Sequence, residues 1–213
     1  MARMARVART RGRPRRADRP VPTDLAIVQA AMVLFMARGY RAVTIDAVAE
    51  AAGVTKPAVY YHFKDKGSIL VAVARLVFSR ARDGTTAILA RPEPLRQRLQ
   101  AIAAVVLALP HPFTVFDAMM HEAEAELTTD QVREIRAEER TLATLIERTL
   151  LEAAAAGEIR TDDPVLAAHA FLALLRVGQA RDESGERRFA DIPATAAGLI
   201  RLWWEGVGPR EGE

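Results

Sequence analysis

The sequence predicts an all-α fold, with a small N-terminal helical head joined to a larger C-terminal helical bundle. Apolar residues recur at helical spacing along most of the 213 residues, and no stretch alternates apolar and polar residues as a strand does. Positive charge collects at one end, because residues 1–66 hold 13 Lys/Arg and 5 Asp/Glu whereas residues 67–213 hold 17 and 22. A basic head on an acidic body indicates that the head alone meets a polyanion.

Composition limits the function classes. The chain has no cysteine, which excludes disulfides, cysteine–zinc sites and thiol catalysis. No apolar run reaches the roughly 18 residues of a membrane helix, and the N-terminus lacks a secretory signal, so we expect a cytoplasmic protein without membrane contact. With four histidines and neither a G-x-S-x-G motif nor a P-loop, the chain is not expected to be an enzyme, and no cofactor is predicted.

Residues 1–22 predict a disordered arm, because eight arginines and three prolines occur there without an apolar period. The arm either aids solubility or reaches an adjacent minor groove, as homeodomain arms do. The sequence leaves both interpretations open.

Residues 23–67 predict three short helices. Asp24 is a candidate cap for the first helix, which Gly39 ends. Thr44 is a candidate N-cap for the second helix, which Gly53 breaks, and a third helix is expected from residue 55 to about residue 63. A helix, a short helix, a glycine turn and another short helix form a helix-turn-helix, whose second helix enters a DNA major groove.

The third helix carries an unusual aromatic run, VTKPAVYYHFKDK. Helical spacing turns Val59 and Phe63 inward and places Lys56, Tyr60 and Tyr61 on the outer side. Tyrosine hydroxyls donate to phosphate oxygens, and lysines supply charge. The alternative is an ordinary three-helix core in which the tyrosines are buried.

The segments AAMVLFMARGY, TIDAVAEAAGVTKPAVYYHFKDK and SIL resemble the N-terminal domain of TetR-family transcriptional regulators, over residues 24–75. The resemblance implies a repressor that binds a palindromic DNA operator as a homodimer and is released by a small-molecule effector. It implies contacts to DNA from Thr44, Thr55, Lys56, Pro57, Tyr60, Tyr61, His62 and Lys66.

Of these, Lys56 and Pro57 match the pair that approaches base edges, and the others match phosphate contacts. The position after Lys56 is often Gly or Ser in the family, but Pro57 cannot donate a hydrogen bond, so direct readout is expected from Lys56 to guanine.

Residues 68–208 predict a helical regulatory and dimerisation domain, followed by a tail at residues 209–213. The apolar patterns predict helices from Gly67 to about Ala90, Leu95 to Leu109, Pro112 to Leu127, Thr128 to Ala156 and Pro164 to Arg181, with a last one over residues 191–207. The first is expected to connect the head to the bundle and to swing the head when an effector binds.

The last two helices, within residues 163–181 and 191–206, are apolar on more than one side, which is typical of helices with two packing partners. They form either a core pair within one chain or a two-fold interface with a second copy. The resemblance implies the interface.

An effector site is predicted in the stretch LPHPFTVFDAMMHEAEAEL. Phe113, Phe116, Met119 and Met120 are candidates to line an apolar cavity, with His111, Asp117 and His121 as polar anchors; the effector is then apolar or amphipathic. The same residues fit a plain core. Asp117 and His121, with His169 or a glutamate, are also compatible with metal sensing. A further alternative is an architectural DNA-binding protein without a ligand.

Overall fold

The computed structural model describes residues 21–110 and 113–207, and within these ranges it confirms the all-α prediction. The helices are α1 (Thr23–Arg38), α2 (Ile45–Ala52), α3 (Lys56–His62), α4 (Lys66–Leu89), α5 (Leu95–Leu107), α6 (Phe113–Glu124), α7 (Thr129–Ala155), α8 (Pro164–Gly178) and α9 (Ile192–Val207). In the described ranges, β geometry is confined to one isolated antiparallel bridge between Arg181 and Arg187. Most of the predicted arm and tail lies outside the described residues.

The buried side chains form two cores. The head core joins α1, α2, α3 and the first half of α4, and it also takes in Met119 and Met120 from α6 and Ile135 from α7. The body core joins the end of α4 to α5, α7, α8 and α9. Helices α4 and α7 therefore contribute to both cores, whereas the buried residues of α6 lie in the head core.

Capping contacts between residues close in sequence set where the helices of the head begin and end. Thr44 is the N-cap of α2, as the sequence predicts, and Thr55, where the third helix was expected to begin, is the N-cap of α3. Gly53 ends α2 with φ 67°, a left-handed conformation that glycine adopts without a steric penalty. The predicted cap of α1 was wrong by two residues, because the N-cap is Pro22 rather than Asp24 and the Pro22 carbonyl accepts from the Ala26 amide.

Helix α8 ends earlier than predicted, at Gly178 rather than Arg181. Beyond it, the buried Gln179 side chain donates to the Val106 carbonyl at 2.8 Å and accepts from the Phe113 amide at 2.9 Å. Arg187 donates to the carbonyls of Leu107 and Leu109 at the end of α5. These bonds take the chain out of the helix and close the C-terminus of α5.

The N-terminus of α4 is joined directly to the N-terminus of α7. Gln131 Nε2 donates to Asp65 Oδ1 at 2.9 Å, and Gln131 Oε1 accepts from the Thr128 amide at 2.9 Å. One glutamine therefore completes the cap of α7 and contacts the cap of α4. The amide lies so close to Gly67 that a β-carbon there would meet Gln131 Oε1 at 2.6 Å. We call this contact, between residues 65–67 and residues 126–131, the head–body joint.

The head–body joint predicts opposite effects of two substitutions in α4. Gly67→Ala should lower the free energy of unfolding by about 1–2 kcal/mol, because the new methyl group displaces Gln131 from both caps. Gly84→Ala, with nothing within 4 Å of the added carbon, should instead raise it by up to about 1 kcal/mol through helix propensity. Urea unfolding of the two variants measures the difference, and equal stabilisation by both would contradict the joint.

Candidate functional site

Helix α3 is fixed by its cap and by one buried valine. Val59 is fully buried in the head core, which turns the opposite face of α3 outward. Thr55 Oγ1 accepts from the Ala58 amide at 3.4 Å, and Thr44 Oγ1 accepts from the Ala47 amide at 3.2 Å. Each hydroxyl uses a lone pair for its cap and keeps its O–H, which is able to donate to a phosphate oxygen.

The aromatic run of α3 lies on the surface. Tyr60 is 49% exposed and Tyr61 is 86% exposed, and His62 beside them is exposed too. The Tyr61 and His62 rings meet edge to face with centroids 5.1 Å apart. Within the described residues neither tyrosine hydroxyl has a hydrogen-bond partner, so both are available to an external acceptor. The alternative of an aromatic core is therefore wrong for these two tyrosines.

The first turn of α3 presents an ion pair. Lys56 Nζ lies 2.8 Å from Asp46 Oδ2, and both side chains are exposed. The hydrogen bond with Asp46, followed by its charge, raises the pKa of Lys56 above its ordinary value. Pro57 is exposed in the same turn and has no N–H to offer. The two residues predicted to approach bases thus lie side by side at the surface.

Lys66 has a different environment from the other predicted DNA contacts. Its ammonium lies 4.0 Å from the centre of the Tyr40 ring, donates to the Tyr40 carbonyl at 3.2 Å and pairs with Glu126 at 3.4 Å. Tyr40 is buried, and that burial, with smaller contributions from the charges of Glu126 and Asp65, raises its pKa to about 12. The Lys66 side chain therefore lies in the head–body joint, and its predicted phosphate contact remains a prediction.

Two residues that the sequence analysis did not select complete this surface. Asp46 is the partner of Lys56, ten positions away, and chain order alone gave no signal for the pair. Lys64 is exposed in the turn before α4 and has no ion pair in the described part of the chain. Its position between His62 and Lys66 in a basic run was the available signal.

A cavity of about 410 Å³ lies between α4, α6, α7 and α8. Three predicted effector residues line it: Phe113, Phe116 and Asp117. Phe78, Phe113, Phe116, Leu142, Ala143, Leu172 and Ala173 supply apolar surface, and Glu139, Arg140, His169 and Arg176 supply polar groups. The mixture suits a ligand with an apolar body and a charged end.

The other predicted effector residues lie on a smaller, adjacent hollow. Met120 and His121 line this space of about 240 Å³ together with Phe116 and Asp117, which belong to both. Met119 packs in the head core, to which Met120 also contributes. His111 lies outside the described residues.

The polar groups near the cavity pair among themselves. Asp117 bonds to Arg176, and His169 lies 3.1 Å from Glu147. Asp117, His121 and His169 are thus not gathered around one point, and among residues 21–110 and 113–207 no group of three or more metal-binding side chains occurs. The geometry gives the metal-sensing alternative no site in this part of the chain.

Helices α8 and α9 border a wide, open groove of about 910 Å³. Its walls include Leu166, Leu174, Val177 and Leu202, of which Leu166 is 66% and Leu202 is 62% exposed. Beneath it, Trp203 Nε1 donates to the Ala167 carbonyl at 2.9 Å and holds the two helices together. Asp162, Asp163 and Glu205 also line the groove, so its surface is mixed, and its exposed leucines make the helix pair a candidate for protein contact.

Comparison with known proteins points to the same helices as the geometry of the α3 surface. The family model of bacterial regulatory proteins of the tetR family matches residues 27–73, which span most of α1 to the first third of α4. The N-terminal helices of the chain are therefore similar to those of TetR-family regulators. Members of this family are DNA-binding transcriptional regulators rather than enzymes.

Two curated relatives, both HTH-type transcriptional regulators, match only the N-terminal part. The transcriptional activator FasR of Mycolicibacterium smegmatis is 38% identical over 72 residues, 34% of this chain and 33% of FasR. The regulator SrpR of Pseudomonas putida is 47% identical over 51 residues, 24% of each chain. The matches therefore span a third or less of these relatives.

Solved structures extend the similarity to the whole fold. A TetR-family regulator from Mesorhizobium loti superposes with a TM-score of 0.70 at 22% identity, over 88% of this chain and 97% of that one. FadR from Bacillus subtilis, solved with stearoyl-CoA, has a TM-score of 0.69 at 16% identity, over 85% and 98%. AibR, solved with isovaleryl coenzyme A and operator DNA, has a TM-score of 0.66 at 21% identity, over 85% and 97%. At such identities these structures show a shared fold alone.

In the described part of this chain, no helix is long and apolar enough to span a bilayer.

The exposed hydroxyls predict the effect of Tyr60→Phe. Stability should change by less than about 0.5 kcal/mol, because the hydroxyl bonds to nothing in the described protein. Affinity for duplex DNA should fall by about 0.5–1.5 kcal/mol, equally for preferred and random sequences, because a phosphate contact is lost. Fluorescence anisotropy with both duplexes measures this, and a loss confined to one sequence would instead assign Tyr60 to a base.

Proposed function

We propose that the chain is a dimeric transcriptional repressor that binds a palindromic DNA operator and is released by a small-molecule effector. The observation that carries the proposal is the outer face of α3, where Lys56, Tyr60, Tyr61 and His62 are all exposed on a helix fixed by the buried Val59. Phosphate contacts from Thr44, Thr55 and the aromatic residues position such a helix, and Lys56 reads bases.

The proposed dimer forms through α8 and α9. A single seven-residue recognition helix buries little surface, whereas two helices about 34–36 Å apart read a palindrome in successive major grooves. The open groove between α8 and α9 supplies exposed leucines for a two-fold contact, and its helices already share the body core. A second copy of the chain is therefore the occupant that we propose for this face.

The proposed effector binds in the cavity between α4, α6, α7 and α8. Phenylalanine, leucine and alanine side chains suit an acyl or other apolar body. Arg140 lines the cavity without an ion pair in the described part of the chain, so it is available for an anionic group. FadR with stearoyl-CoA and AibR with isovaleryl coenzyme A support an acyl thioester as the first class to test.

Effector release is proposed to pass through α6 and α4. Phe116 of α6 lines the cavity and packs edge to face on Phe78 of α4, with ring centroids 5.4 Å apart. Met120 of the same helix packs in the head core, and Glu126 just beyond it pairs with Lys66. A ligand that shifts α6 therefore acts on the head at several points and favours head positions that do not match the operator.

Selection of duplexes from a random pool, followed by titration with acyl-CoA thioesters, tests this function. We expect enrichment of a palindrome, binding of two chains to it and weaker binding in the presence of stearoyl-CoA or isovaleryl-CoA. Enrichment without any response in a wider ligand screen would favour the architectural alternative. Failure to enrich any duplex in dilute buffer would contradict the function.

The dimer proposal predicts that Leu202→Glu yields a monomer. Leu202 is 62% exposed in the single chain, so the charge should leave the fold intact while placing a buried carboxylate in the proposed interface. The matched control is Leu151→Glu, at a 55% exposed leucine on α7, which should remain dimeric. Sedimentation velocity distinguishes the states, and an unchanged dimer for Leu202→Glu would place the interface elsewhere.

The effector proposal predicts that Arg140→Ala weakens the response. The concentration of stearoyl-CoA that half-releases the operator should rise about tenfold, which corresponds to the loss of one charge-assisted contact. Affinity for DNA without effector should not change. Arg148→Ala, on the same helix but paired with Glu152, is the control, and an equal shift in both variants would mean a nonspecific charge effect.

A further inference from the structure

Asp46 is an unexpected residue on the proposed DNA-binding surface. It lies in the first turn of α2 and is exposed, and its Oδ2 atom meets Lys56 Nζ at 2.8 Å in the first turn of α3. A carboxylate at this place repels DNA phosphates. It is not needed as a helix cap, because Thr44 already accepts from the Ala47 amide.

The head has little positive charge with which to neutralise DNA phosphates. Residues 21–66 contain five Lys/Arg and four Asp/Glu. Of the five, Lys66 and Arg41 are directed toward Glu126, and Lys56 is paired with Asp46. Cancelling the charge of Lys56 is thus a real electrostatic loss for a protein that binds a polyanion, and it calls for a compensating gain.

We propose that Asp46 is a specificity-determining residue, which orients the Lys56 ammonium and cancels its charge so that Lys56 reads a guanine instead of attracting phosphate. This inference rests on the proposed DNA-binding function. An unpaired lysine is a flexible point charge whose attraction to phosphate is the same at every sequence. The ion pair has no net charge, so it adds little to that sequence-independent attraction.

A count of hydrogen-bond donors and acceptors indicates which base Lys56 contacts. A lysine ammonium has three donors, and one of them is used by Asp46. The two that remain match the O6 and N7 acceptors that guanine presents in the major groove. Adenine presents N7 beside an amino donor and thymine presents one O4 acceptor, so neither satisfies both donors. Since the hydrogen bond also raises the pKa of Lys56, the ammonium stays protonated at neutral pH.

The proposal predicts opposite changes in specificity and in nonspecific affinity for Asp46→Ala. Discrimination at one guanine position should fall about tenfold, because Lys56 is no longer oriented. Affinity for random duplex should rise, and the slope of log affinity against log salt should steepen by about 0.9, because a free lysine now neutralises a phosphate. Lys56→Ala should lose preference at the same position with little change in the slope.

The experiment combines selection from a random pool with salt titrations for wild type, Asp46→Ala, Lys56→Ala and the double variant. Glu50→Gln is the control, because it removes an exposed negative charge from the same helix at a side chain without an ion pair in the described residues. It should leave the guanine preference intact. In the double variant, removal of Asp46 should cause no further loss of preference beyond that of Lys56→Ala.

Two results overturn the proposal. If Asp46→Ala raises affinity equally for all duplexes and keeps the base preference, Asp46 is only a counter-charge. If it changes thermal stability alone, Asp46 only stabilises the N-terminus of α2. Wild-type selection reports separately on the proposed function, because enrichment of any duplex supports DNA binding whatever the variants do; if wild type enriches none, both proposals fall.

Discussion

The structure depends on one shared element, helix α4, which is packed into two cores and pinned at its first turn by Gln131. This contact fuses the N-terminal caps of α4 and α7, and the close approach at Gly67 makes it possible. Because the N-terminus of α4 directly follows α3, the proposed recognition helix, the orientation of the head is set by the body rather than by a flexible linker. A change in body packing therefore has a short route to the proposed DNA-binding surface.

The lysine side chains of the head differ in their partners. Lys66 is held against Tyr40 and Glu126 in the head–body joint, Lys56 is paired with Asp46, and Lys64 is free of ion pairs in the described chain. With a nearly neutral helical head, most of the positive charge of residues 1–66 comes from the arginines before residue 21. Affinity and specificity are thus expected to arise from different segments, with the helical head responsible for reading and basic residues for general attraction.

Local signals predicted much of the head. The caps Thr44 and Thr55 act on amides three residues away, and helical periodicity separated the buried Val59 from the exposed Tyr60 and Tyr61. Contacts distant in sequence were not predictable, because periodicity says nothing about which helices meet. The pairing of Lys66 with Glu126 shows this, as does the packing of Met119 and Met120 in the head core rather than in the cavity.

Distance measurement between the two heads of the proposed dimer tests the central claim most directly, and a chain without cysteines permits clean labelling at a single Glu50→Cys site. Pulsed electron spin resonance should give one narrow distance on operator DNA, consistent with recognition helices about 34–36 Å apart. Saturation with an effector should move or broaden that distance, because the body controls the head through α4. Identical distributions with DNA, with effector and in the free protein, or no dipolar signal at all, would contradict the account.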